Sequence, residues 1–192
     1  MPKRSYKAVF FDLDGTLLPI DMDAFLKNYF NDIAAFAQAR GYEPKHFIGA
    51  LNAGVKSMLV EEGGLNSERF WRTFTAQMGG GSLAEYEKLL DEYYSVHFDS
   101  LGAMATNIDP NAAYVVKTLK EKGYPLYLTT MPLFPRIAVE KRLAWANVPA
   151  DSFDRITTYD NSTSTKPHTA YFQENVEAIG LAPEDILMVG NN

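Results

Sequence analysis

The stretch Ala8-Val9-Phe10-Phe11-Asp12-Leu13-Asp14-Gly15-Thr16-Leu17-Leu18 decides how the rest of the chain is read. Its first four residues form a short apolar run, the pattern of a buried strand. The run ends in two carboxylates, Asp12 and Asp14, and then a Gly-Thr turn. Carboxylates at the end of a buried strand are costly unless something pairs with them. In an open α/β sheet the carboxyl ends of the strands are where ligands bind. Residues two apart share a face, so the two side chains point the same way. Like charges that close call for a cation, and an oxygen-only ligand set suits Mg²⁺.

Outward from this stretch, the chain reads first as helices. Asp23 is placed to cap a helix through about Arg40, with Phe25, Tyr29, Ile33, Phe36 and Ala37 at helical spacing and Gly41 as its stop. Further helical segments are expected over about 45–62, 67–78 and 82–98, punctuated by Gly63-Gly64 and Gly79-Gly80-Gly81. Few strand-like runs occur between residues 20 and 105, so this block reads as a helical insertion packed as a small bundle. After Asp109-Pro110 the pattern changes. Helices are expected at 111–122, 135–146 and 167–179, alternating with strands at 125–130, 153–159 and 185–189. Strands alternating with helices argue for an α/β fold with a parallel sheet and right-handed crossovers. The domain reading is therefore 1–19 with 106–192 as the core, and 20–105 as the helical insertion.

Composition bounds the function. The 192 residues are 46% hydrophobic and 22% charged, ordinary for a soluble globular protein of one domain, or one domain with an insertion. The net charge of −6, with no long basic run, argues against a nucleic-acid partner. No stretch approaches a membrane span, so no membrane partner is expected. The basic start Met1-Pro2-Lys3-Arg4 precedes an apolar run broken at Asp12, too short for a signal peptide, and cytoplasmic residence follows by default. The absence of cysteine excludes disulfides, thiolate zinc sites and a Cys nucleophile. His46, His97 and His168 are scattered, without metal-ligand spacing. A monomer or homodimer is expected.

The Asp12-Leu13-Asp14-Gly15-Thr16 run resembles motif I of the haloacid dehalogenase (HAD) superfamily. The helical block between the first and second core strands sits where that superfamily places its type 1 cap, and the resemblance covers essentially the whole chain. It implies a Rossmann-like parallel sheet core with an inserted α-helical cap. It also implies a Mg²⁺-dependent phosphomonoester hydrolase acting on a small phosphorylated metabolite. On this resemblance Asp12 is the nucleophile that forms an aspartyl-phosphate. Asp14 is the general acid for the leaving oxygen and then the base for the attacking water. The second motif is a hydroxyl after the second strand. Leu128-Thr129-Thr130-Met131 offers two, of which Thr130 is favoured over Thr129, and Met131 stands where many relatives carry Asn. The third is a lysine, and Thr165-Lys166-Pro167 supplies Lys166, a point charge suited to phosphate.

The fourth motif departs from the family pattern. Ile186-Leu187-Met188-Val189-Gly190 is the expected strand, but Asn191-Asn192 follows where relatives place acidic metal ligands. The metal set is then Asp12, Asp14 through its backbone carbonyl, and an uncharged oxygen from Asn191 or Asn192, which implies weaker Mg²⁺ binding. Relatives continue with a further helix and strand, so the C-terminal end of the core is expected to be missing and residues 186–190 to form an exposed sheet edge. Asp14 argues against a dehalogenase, because halide departure needs no proton donor. A sugar phosphomutase of the same superfamily uses the same Asp pair and remains an alternative. So does a catalytically impaired phosphate-ester binding relative. In the helical block, Asn52-Ala53-Gly54-Val55-Lys56 reads as a Gly turn followed by a cation; Lys56 reads first as a helix-surface lysine, and it is the candidate for a distal anionic group of the substrate.

Overall fold

A computed structural model describes residues 5–190. Four strands, β1 (Ala8–Phe11), β2 (Leu126–Leu128), β3 (Arg155–Ile156) and β4 (Ile186–Val189), form one sheet in the order β3-β2-β1-β4. Every pairing is parallel, with Phe11 opposite Leu128 on one side and Val189 on the other. β1 is central and all four of its residues are buried. A strand covered on both faces reads as a continuous apolar run rather than an alternating one, which is why this stretch carries no polar residue before Asp12. β4 is the outermost strand on its side, and Leu187 and Met188 are exposed.

Helices α1 (Met22–Gln38), α2 (Pro44–Val60), α3 (Asn66–Met78) and α4 (Leu83–Glu92) follow β1 without an intervening strand. Their inward faces, with Tyr93 and Phe98 just beyond α4, build one aromatic-rich cluster that includes Phe25, Tyr29, Phe47 and Phe74. A second cluster lies on the sheet, where Val9, Phe11, Leu126, Leu128 and Ile156 meet α5 (Pro110–Glu121) and α6 (Arg136–Trp145). Ile20, Phe134 and Trp145 pack against both clusters. The remaining helix, α7 (Thr169–Ile179), precedes β4.

Polar contacts from α3 fasten the helical block to the loop after β3. The Asn66 and Ser67 amides donate to the Ser162 and Tyr159 carbonyls, each at 2.9 Å. Asn66 Nδ2 donates to the Pro132 and Ser164 carbonyls at 3.1 Å each. Arg69, almost wholly buried, reaches the carbonyls of Gly63 and Gly64 at 2.8 Å and of Thr163 at 2.9 Å. It also bonds Asn66 Oδ1.

Several expectations are corrected. The first helix is capped by Asp21, whose carboxylate accepts from the Ala24 amide at 3.1 Å; Asp23 sits inside the first turn instead. The helix expected over 82–98 ends at Glu92 and continues as a π-turn (Tyr93–His97) and a 3₁₀ segment (Phe98–Met104). An α-helix turns about 100° per residue and cannot readily bury neighbouring tyrosines with Phe98. The wider turn, with the Phe98 amide on the Tyr93 carbonyl, lets Tyr93, Tyr94 and Phe98 all face the core. The strand expected over 153–159 shortens to two residues, because Asn161 Oδ1 draws the Thr158 amide into a turn at 2.8 Å. Gly54 is not in a turn but in the middle of α2, against Phe70 of α3.

Candidate active site

Asp12 is the first residue beyond β1, and its amide still donates to the Val189 carbonyl of β4 at 2.9 Å. The nucleophile candidate is thereby fixed by the sheet itself. Gly190 stands close behind it: a Cβ at Gly190 would lie 3.2 Å from Asp12 Cβ. Gly15 takes a left-handed conformation (φ +74°), and the loop doubles back so that the Gly15 amide donates to the Leu18 carbonyl at 2.8 Å. A residue with a Cβ is strained there, which accounts for Gly after Asp14. The turn holds Asp14 one strand-repeat beyond Asp12.

Each carboxylate meets a cation from far along the chain. Lys166 Nζ donates to Asp12 Oδ1 at 2.7 Å. Arg142, from the inward face of α6, pairs with Asp14 Oδ2. Arg142 is buried, with its guanidinium 5.0 Å from the Phe134 ring centroid. Burial draws its pKa down to about 10, opposed by the charge of Asp12, so it remains a cation at neutral pH. One oxygen of each carboxylate is left lightly held. Among the described residues, Asp12 Oδ2 has only a long contact, 3.5 Å, from the Thr16 hydroxyl. Asp14 Oδ1 is buried without a hydrogen-bond partner among the described residues. Two such carboxylate oxygens fit a hard divalent cation such as Mg²⁺. Among the described residues no third acidic or imidazole group joins them. Asn191 and Asn192 lie outside the described residues.

The two threonines differ. Thr129 donates its hydroxyl to the Phe11 carbonyl at 3.3 Å. The Thr130 hydroxyl is buried and unpartnered among the described residues, so it is the free donor of the pair, although neither threonine is among the residues lining the cleft. Its carbonyl is held by the Thr157 hydroxyl at 2.9 Å and the Tyr171 hydroxyl at 2.7 Å, which fixes this loop. Lys56 is exposed on α2 and does not contribute to the cleft at Asp12. Arg142 was not anticipated from the sequence, although a signal was present. It falls on the stripe Ala138, Val139, Arg142, Leu143, Ala146, whose other members are buried apolar residues.

The cleft has a volume of about 600 Å³. Its polar lining is Asp12, Asp14, Arg142 and Lys166; the rest is largely Ile20, Met22 and Leu26 from the start of the helical block and Met131, Leu133 and Phe134 from the loop after β2. Such a site can present a carboxylate nucleophile beside a cation, with a second carboxylate close by.

A parallel sheet ending in this acidic pair, with helices inserted after the first strand, defines a hydrolase of the HAD type. The chain belongs to the haloacid dehalogenase-like hydrolase family, whose model matches residues 6–192. It is 25% identical over 186 residues to a pyrophosphatase PpaX of Bacillus cereus, covering 96% of this chain and 74% of that protein. Among solved structures it resembles a HAD phosphatase from Thermococcus onnurineus (TM-score 0.52, 20% identity, 97% and 77% of the two chains). It likewise resembles an L-2-haloacid dehalogenase from Xanthobacter autotrophicus (TM-score 0.51, 15% identity, 95% and 69%). Among the described residues no helix is long and apolar enough to cross a membrane.

Proposed function

We propose that this hydrolase cleaves phosphate monoesters through an aspartyl-phosphate on Asp12. The observation that carries this reading is Asp12 at the end of the central strand, 2.7 Å from Lys166, with Asp14 two residues beyond. In the first step an Asp12 carboxylate oxygen bonds to phosphorus as the P–O bond to the alcohol breaks. The alcohol oxygen takes a proton from Asp14, which enters this step in its acid form rather than as the carboxylate paired with Arg142. In the second step Asp14 accepts a proton from water, whose oxygen displaces Asp12 and releases inorganic phosphate. Lys166 sits against the nucleophile, where it offsets the charge of carboxylate and phosphoryl oxygens together. The unpartnered Thr130 hydroxyl is the donor best suited to a phosphoryl oxygen. Mg²⁺, held by the Asp12 carboxylate and the Asp14 backbone carbonyl, would supply further neutralisation of the transferring group. Asp14 favours phosphate esters over haloacids, since a halide leaves without a proton. The helical block serves as the cap over the reaction.

The test is phosphate release from p-nitrophenyl phosphate with Mg²⁺ and with chelator, beside Asp12→Asn. Turnover that needs Mg²⁺ and is lost in the variant is the expected result. Chloride release from 2-chloropropionate without phosphate release would replace this reading with a dehalogenase.

A further inference from the structure

The pyrophosphatases among the relatives act, by their name, on a substrate with two phosphoryl groups. The cleft of this chain is built for something else. Its cations are Lys166 and Arg142, and each already faces a carboxylate, Asp12 and Asp14 respectively. The four charges cancel, and the incoming phosphoryl group draws on what the two cations have left. No further cationic side chain lines the cleft among the described residues, so a second phosphate in the leaving position finds no protein counter-charge beyond Lys166 and Arg142. A leaving group there meets Ile20, Met22, Leu26, Leu133 and Phe134 instead.

The apolar surface also continues inward. Leu26, Leu133 and Phe134 are shared with a second, partly open cavity of about 70 Å³ between the helical block and the loops after β2 and β3. That cavity is walled chiefly by aliphatic and aromatic carbon. The Tyr29 and Tyr94 hydroxyls, which line it with Tyr159, bond each other at 2.7 Å, so one of their two protons is already used within the wall. A small apolar cavity stays dry and accepts apolar groups.

We propose that the alcohol released by this enzyme carries an uncharged apolar tail, alkyl or aryl. It lies along Leu26, Leu133 and Phe134 and points toward the inner cavity. This rests on the phosphomonoesterase reading above and gives its substrate class. The reaction is unchanged in balance: ester and water give the apolar alcohol and inorganic phosphate.

The experiment measures binding apart from turnover. Affinities of ethyl-, butyl- and hexylphosphonate, and of imidodiphosphate as the uncleavable pyrophosphate analogue, are measured by calorimetry with Mg²⁺ present. The matching alkyl phosphates and pyrophosphate are then compared by kcat/KM. Affinity should tighten about fourfold for each methylene buried, the factor equivalent to about 0.8 kcal/mol. Imidodiphosphate should bind more weakly than butylphosphonate. Leu26→Gln should flatten the chain-length slope, and Met22→Gln, at the first residue of α1, makes the same test should the first variant fold poorly. A flat series in the unmodified enzyme, or imidodiphosphate as the tighter ligand, overturns the inference. A steep series without turnover of any ester upholds the apolar subsite along Leu26, Leu133 and Phe134 and overturns the hydrolase reading. Turnover with a flat series does the reverse.

Discussion

Lys166 and Arg142 hold the two carboxylates of the site, and their removal should read out differently. Lys166→Met takes the cation from Asp12 and from the phosphoryl oxygens at a position whose side chain is only 13% exposed. Phosphate release should fall about 10²- to 10³-fold in kcat, the loss typical of one electrostatic donor at a reaction centre. Arg142→Leu instead strips a buried partner from Asp14 and should lower unfolding free energy by about 3 kcal/mol in urea titration. Adding Asp14→Asn should restore part of that stability, because the uncompensated charge goes with it. A strictly additive double variant would show that the pair is not coupled. Asp12, Asp14 and Lys166 are legible in sequence because a carboxylate pair at a strand end and a Lys-Pro before a helix are fixed in spacing. Arg142 is hidden by its neighbours Glu140 and Lys141, which make the segment read as a solvated helix face. Only the tertiary placement of α6 shows that position 142 points inward. Lys56 is the helix-surface lysine its spacing suggests: helix phase puts it outside, away from the cleft at Asp12.

At the scale of elements, apolar spacing locates every helix but not the way helices meet. Gly54 shows the difference. Its lack of a side chain lets α2 lie on α3, since a Cβ there would be 2.6 Å from the Phe70 ring and 3.2 Å from the Phe70 carbonyl oxygen. Gly54→Ala gains helix propensity of about 1 kcal/mol but forces the two helices apart. The net loss should be about 1–2 kcal/mol, read as a lowered thermal midpoint. The π-turn at Tyr93 is equally invisible to a periodicity argument, because it exists to reconcile three aromatics with one core. Arg69 is the polar counterpart. A charged residue in an amphipathic helix reads as surface, yet here it binds loop carbonyls on both sides of the junction between helical block and core. Arg69→Met keeps the stem and removes the donors, stranding buried carbonyls. Unfolding free energy should drop by about 2–4 kcal/mol, and Arg69→Lys should recover little, because one ammonium cannot span the same acceptors.

The whole molecule is two hydrophobic clusters joined by Ile20, Phe134, Trp145 and the polar seam of α3. Sequence reading supplied the two parts and their order; the seam that holds them together depends on long-range contacts that no local pattern records. Asp160 lies at that seam, beside Ser67 and Trp71. Partial burial pushes its carboxyl up to about 6, against the pull of a Ser67 hydrogen bond and with a further push from Asp91. The unfolded chain holds this proton less firmly, with an ordinary value of 3.8. Between those two values the folded state binds more protons than the unfolded one, so this residue's contribution to stability falls as pH rises through the window. Below it the residue is neutral in both states and contributes no penalty; above it the penalty is complete. Because one side of Asp160 faces water, screening holds the effect to about 1 kcal/mol or less. Asp160→Asn should therefore raise the unfolding midpoint at pH 7.5 and leave it nearly unchanged at pH 3.5. The comparison of variant with unmodified protein at each pH cancels the other titrating groups. An equal gain at both values would mean that the amide improves packing at the seam, and that the charge of Asp160 costs the folded state nothing.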